Sequence, residues 1–90
     1  MMLDLSQALR LGLDDVLGSL QHARRSGDLG RLALLTYWEA RKWARMAHRD
    51  ALAELAADVF IKQPHATRAD FLTTVDQVIF ELERTRRECA

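Results

Sequence analysis

Proline occurs once in this chain, at Pro64, and glycine four times, so few positions can break a helix or supply a left-handed turn. Cysteine also occurs once, at Cys89, which rules out an internal disulfide and any dependence of the fold on an oxidising compartment. No segment approaches the ~20 consecutive apolar residues of a membrane span. The opening "MMLDLSQALR" carries an acid and no long apolar run, so it does not read as a signal peptide. Net charge is missing too: 13 basic residues balance 13 acidic ones, and the chain as a whole has no electrostatic pull towards nucleic acid or an anionic membrane. These absences predict a cytoplasmic protein with no membrane association.

What is present is apolar and helix-forming. The apolar fraction of 49% is that of a globular chain, and 90 residues give one domain, residues 1–90, without room for a second core. A chain this short buries only about 60–65% of its unfolded surface, and zero net charge lowers solubility near neutral pH, so self-association is favoured. Ala, Leu, Arg and Glu fill the stretches between the few glycines, and nothing alternates with period two. The pattern is all-α.

Four helices follow from the periodicity, near 3–25, 29–47, 50–62 and 67–87. In the first, Leu5, Leu9, Leu13, Val16, Leu17, Leu20 and Ala23 share one face about 120° wide. "RRSGD" ends it, with cations in the last turn and Gly27 as the stop, and Asp28 is placed to cap the second helix. Residues 31–63 contain neither glycine nor proline, which would allow one continuous helix. The phase of the apolar face argues against it. Leu32, Ala33, Leu35, Tyr37, Ala40, Trp43, Ala44, Met46 and Ala47 make the arc of the second helix; Leu52, Leu55, Ala56, Val59 and Phe60 make that of the third. On one straight helix the two arcs would point about 170° apart, so a turn is expected at "HRD", residues 48–50, with Asp50 capping the third helix.

Pro64 closes the third helix. Thr67 is the expected cap of the fourth, with Asp70 three residues on and Ala66 against Phe71 as a weak staple. Phe71, Leu72, Val75, Val78, Ile79 and Leu82 form its buried stripe, and residues 84–90 are expected to fray. Short connections place successive helices antiparallel, giving a compact arrangement of helical hairpins. The "SGDLGR" turn is similar to the turns of tetratricopeptide hairpins, but the second hairpin repeats no residues of the first at a fixed period, so nothing is carried over.

Chemistry has little support. His22, His48 and His65 all fall near helix ends, and none forms a His-x-x-x-His or Glu-x-x-His pair that would aim two ligands from one face. No glycine-rich phosphate loop exists, and Cys89 in a polar tail reads as an incidental thiol. The carboxylate pairs Asp14/Asp15 and Glu81/Glu83 lie on the polar arcs of their helices. No catalytic residue, metal or cofactor is predicted, and no enzyme.

Charge is more informative. Residues 29–49 carry Arg31, Arg41, Lys42, Arg45 and Arg49 against Glu39 alone, five against one, a net of +4. Residues 50–63 carry Asp50, Glu54 and Asp58 against Lys62, three against one, a net of −2. The three acids, spaced i, i+4, i+8, make one stripe. On the second helix, Trp43 and Tyr37 belong to or border the apolar arc, whereas Trp38 and Leu34 fall on the opposite side among Arg31, Arg41, Lys42 and Arg45. An apolar pair ringed by basic residues has the composition of a protein contact: aromatic and Arg-rich, with charges at the rim. Two plainer arrangements compete: the first or fourth helix could cover Trp38, or the arginine stems could lie across the indole in solvent.

The predicted function is therefore a small non-enzymatic protein–protein interaction module, able to form a homodimer, with Leu34, Trp38, Arg41, Lys42 and Arg45 as the partner-binding residues. A nucleic-acid-associated regulator using the same basic face is the alternative. It ranks lower because the basic patch is one helix face and an acidic stripe stands beside it.

Overall fold

The computed structural model describes residues 6–61 and 67–88, with the side chains of 60 and 61 left out of that description. Among these residues there are four helices and no strand: α1 (Gln7–Ser26), α2 (residues 29–46), α3 (Asp50–Ile61) and α4 (Arg68–Glu88). Each helix packs on its chain neighbours, and α4 closes back on α1. One core lies between them, built from Leu13, Leu17 and Leu20 of α1, Leu32 and Trp43 of α2, Leu52 and Val59 of α3, and Val75, Val78 and Leu82 of α4. Burying each such side chain contributes about 1.5–3 kcal/mol.

The helix ends are made by short-range bonds. Ser6 is extended and its hydroxyl accepts from the Leu9 N–H at 3.2 Å, so α1 starts at Gln7 and not near residue 3. Leu5 of the expected stripe lies outside the described residues. Asp28 accepts from the Arg31 N–H at 3.1 Å, and Thr67 from the Asp70 N–H at 3.1 Å, both in their expected capping roles. Pro64, His65, Ala66 and Cys89 lie outside the described residues, as does the staple expected from Ala66.

Both described interhelical turns close in the same way. At the end of α1, Gly27 is left-handed (φ 70°), its N–H donates to Arg24 O and the Asp28 N–H to Ala23 O. At the end of α2, His48 is left-handed (φ 58°), its N–H donates to Arg45 O and the Arg49 N–H to Ala44 O at 2.7 Å. These are two Schellman closures, the second with a histidine where glycine is usual, at a cost of about 1 kcal/mol. The break expected at 48–50 is therefore present. Its cap is shifted, however: Arg49 O accepts the first helical bond of α3, from the Ala53 N–H, which makes Asp50 the first helical residue instead of the cap. There its carboxylate still complements the helix dipole.

The described part of the tail expected to fray continues the helix. Residues 84–88 are helical, because this last stretch is tied down on three sides. Thr85 is fully buried with its hydroxyl donating to Glu81 O, Arg86 pairs with Asp14 of α1 at 3.0 Å, and Glu88 reaches Arg49 at 3.7 Å. Farther along the α1–α4 seam, Arg24 meets Asp76 through two nitrogens at 2.8 and 3.3 Å. That hydrogen bond and the adjacent negative charge raise the Arg24 pKa above its ordinary value.

The irregular element is α2. It is α-helical over Leu29–Leu34 and Arg41–Met46, but π-helical over Leu35–Ala40, where the Arg41 N–H reaches back five residues to Thr36 O. In an α-helix each i, i+4 step drifts about 40° around the axis, so three steps would skew a row across about 120° of the helix surface. A π turn holds more residues and cancels the drift. Leu32, Thr36, Ala40 and Ala44 accordingly form one straight inward row, all 0% exposed. The extra residue is an insertion relative to a regular helix, so removing one exposed residue from the π segment should restore α geometry without turning either flank. Deleting Glu39 is expected to shift the melting temperature by no more than about 5 °C. Deleting Asp15, equally exposed but in regular α1, turns every later α1 side chain by about 100° and should abolish cooperative melting. Circular-dichroism melts of both variants check this; equal loss would contradict it.

Candidate partner-binding surface

The π segment that straightens the inward row of α2 also straightens an outward one. Leu34, Trp38, Lys42 and Met46 follow one another at i+4 along the solvent side, with Leu34, Trp38 and Met46 exposed at 56%, 59% and 58%. Neither the first nor the fourth helix covers Trp38, so two of the expected site residues, Leu34 and Trp38, stand open as neighbours. Met46 corrects the sequence reading. A uniform helical wheel puts it at the edge of the buried arc, but the wider turn at Leu35–Ala40 rotates every later position by about 100°, which turns Met46 outward and keeps Ala44 in the core.

Trp38 is held from one side. Its ring meets that of Tyr37 edge to face, with centroids 5.2 Å apart, and the Arg41 guanidinium lies over Tyr37 at 5.1 Å from the ring centre. Each contact is of a size to stabilise by about 0.5–1 kcal/mol. Arg41 thus packs on Tyr37, half-buried, and leaves the indole uncovered. Lys42 and Arg45 are exposed. All five expected partner-binding residues lie on the outer half of α2, with Arg41 and Arg45 set towards α3.

Two grooves border this ridge. On the α1 side, Leu9, Gly12, Val16 and Trp43 line an apolar groove of about 330 Å³ whose rim includes Glu39, Lys42 and Met46. On the α3 side, Arg41 and Arg45 face Asp50, Glu54 and Asp58 across a floor of Ala53 and Ala57, in a groove of about 530 Å³. The acidic stripe of α3 and the basic face of α2 are thus the two walls of one groove.

The second tryptophan has the opposite role. Trp43 is buried, and its Nε1–H donates to Leu9 O at 2.8 Å. Gly12 makes room for it, since a Cβ there would sit 3.2 Å from Trp43 Cδ1, tighter than side chains tolerate without a shift. Sequence reasoning placed Trp43 in the core but had no signal for its partner, because nothing in the spacing links residue 43 to residues 9 and 12. It also missed Thr36. That residue is fully buried, and its Oγ1 has no hydrogen-bond partner, whereas Thr85, equally buried, donates within its regular helix. An unpaired buried hydroxyl costs about 1–3 kcal/mol.

His22 and His48 are exposed, and among the described residues no three His, Cys, Asp or Glu side chains gather as metal ligands would. Asp14, one of the paired carboxylates, is engaged by Arg86. No described helix is long and apolar enough to cross a membrane. No family model, curated protein or solved structure matches the chain.

The geometry separates the two tryptophans energetically. Trp43→Ala should destabilise the fold by about 3–5 kcal/mol in denaturant unfolding of dilute protein, as removal of a buried aromatic does. Trp38→Ala should cost no more than about 0.5–1 kcal/mol, losing only its contact with Tyr37. Equal losses would make both rings core and remove the case for a surface.

Proposed function

We propose that this chain acts by binding protein, through the outward ridge of α2, and carries out no reaction. The observation that supports this most is the open row Leu34–Trp38–Lys42–Met46, in which three large apolar side chains, each over half exposed, adjoin Arg41 and Arg45. Solitary exposed apolar residues are common on protein surfaces; an aligned set with a tryptophan at its centre and arginines at its edge resembles an interface hot spot. Trp38 is the anchor, because a ring that loses most of its solvent exposure on docking gains the most from it. The cations beside it set encounter rate and register.

Nucleic acid fits this surface less well. A phosphate drawn to Arg41 and Arg45 would also meet Asp50, Glu54 and Asp58 on the facing wall of the same groove, and like charge raises the cost of seating it.

Kinetics on a complex recovered with the native chain from cell extract provide the test. Trp38→Ala is expected to speed dissociation and weaken binding by about 2 kcal/mol or more, while Arg41→Gln with Arg45→Gln slows association. If the complex were nucleic acid, the double arginine change would instead lower the slope of log affinity against log salt by about two units. Binding indifferent to both changes would show that α2 is structural only.

A further inference from the structure

The groove beside the ridge has a property that selects its occupant. Its α2 wall carries Arg41 and Arg45, its α3 wall Asp50, Glu54 and Asp58, and its floor is the two alanines. Among the described residues no ion pair joins Arg41 or Arg45 to Asp50 or Glu54, so these four side chains are not paired with one another across the groove. A surface that is positive along one edge and negative along the other is complementary to itself under one symmetry operation. A two-fold axis along the groove sets the basic wall of each copy against the acidic wall of the other. A two-fold axis across the groove sets like against like. The short alanine floor lets the facing walls approach, and the zero net charge, 13 basic against 13 acidic residues, leaves no overall repulsion to overcome.

We propose that a second copy of this chain docks on the α2–α3 groove, two-fold along the groove axis, with Arg41 and Arg45 of each copy against Asp50 and Glu54 of the other. This rests on the reading of the α2 surface as a protein-binding face, and names the partner. The contact is isologous: every charge pair occurs twice, so a single substitution is felt twice. Leu34 and Trp38, on the same helix and N-terminal to the two arginines, extend the contact beyond the groove with apolar surface. Charge sets the orientation, and the apolar extension adds to the affinity.

Charge reversal across the two-fold axis is a decisive test, because the two halves of the exchange must cure each other. Arg45 and Glu54 are both exposed on their helices, so reversing either leaves the core untouched. Sedimentation velocity over a concentration series is expected to show the native chain passing from one-chain to two-chain mass. Arg45→Glu alone puts glutamate against Glu54 twice, and Glu54→Lys alone puts lysine against Arg45 twice, so each should raise the dimer Kd at least about tenfold. An equimolar mixture of the two variants pairs opposite charges at both places and should recover a two-chain species at close to the native Kd. A native chain that stays at one-chain mass at every concentration overturns the proposal, as does a mixture no tighter than its components. Circular dichroism checks that both variants keep native helicity. Should either lose it, the native dimer decides: its Kd must rise about tenfold or more between roughly 50 and 500 mM salt, and an unchanged Kd overturns the charge pairing. The outcome is separable from that of the α2 surface itself. A monomer whose complexes with other proteins still depend on Trp38 refutes self-association and leaves the binding face standing.

Discussion

Four residues spaced i+4 along α2 all face the core with no exposure at all, in a straight row that a regular α-helix would skew. Leu32, Thr36, Ala40 and Ala44 would spiral about 120° around a regular axis over three such steps. The π segment at Leu35–Ala40 absorbs the spiral, so all four remain completely buried. The cost is local: Thr36 loses the hydrogen bond to the preceding turn that a buried helical threonine ordinarily makes, and its hydroxyl is left unpaired. What offsets this is the fit of α2 between its neighbours. Ala40 and Ala44 are small and fully buried, and Trp43 reaches α1 through the space that Gly12 leaves. The outward ridge is the other face of the same constraint. Rows on opposite sides of one helix straighten together, so the geometry that keeps Ala44 inside brings Met46 into line with Trp38.

The remaining framework is conventional and distributes its stability widely. Side-chain caps at Ser6, Asp28 and Thr67 contribute about 1 kcal/mol each. The α1–α4 seam is laced by Arg24–Asp76 and Arg86–Asp14, but both pairs are solvent-exposed and contribute little, about 0–1 kcal/mol each. Their role is in register: they fix α4 along α1 near two points of its length, and with buried Thr85 they keep its last turns ordered. The turn at His48 stores strain that a glycine would release, a cost the Schellman bonds to Ala44 and Arg45 offset.

Much of this was legible in the chain because apolar periodicity reports which face is buried. The α1 stripe from Leu13 to Ala23, the burial of Val75, Val78, Ile79 and Leu82, and the inversion of the apolar face between Trp43 and Val59 all follow from spacing alone. Spacing also sets Leu34 and Trp38 opposite the apolar arc, but it leaves open whether the first or fourth helix covers Trp38; their exposure is a tertiary fact. What was hidden depends on departures from a uniform wheel or on tertiary partners. A π turn has no residue signature, so Met46 was assigned inward and Thr36 overlooked. The last turns of α4 read as polar and therefore loose, since their order comes from Asp14 and Arg49, far away in sequence. Asp50 looked like a cap because aspartate commonly is one; the backbone bond from Ala53 to Arg49 moved the start of the helix by one residue.

The ridge and the straight inward row therefore share one cause, and that cause is a hydrogen bond of unusual span. Through-bond scalar couplings across hydrogen bonds identify donor and acceptor directly in isotope-labelled protein. The Arg41 amide nitrogen is expected to couple to the carbonyl carbon of Thr36, five residues back. Coupling instead to the carbonyl of Tyr37, four residues back, would mean that α2 is a regular α-helix at this point and would contradict the account.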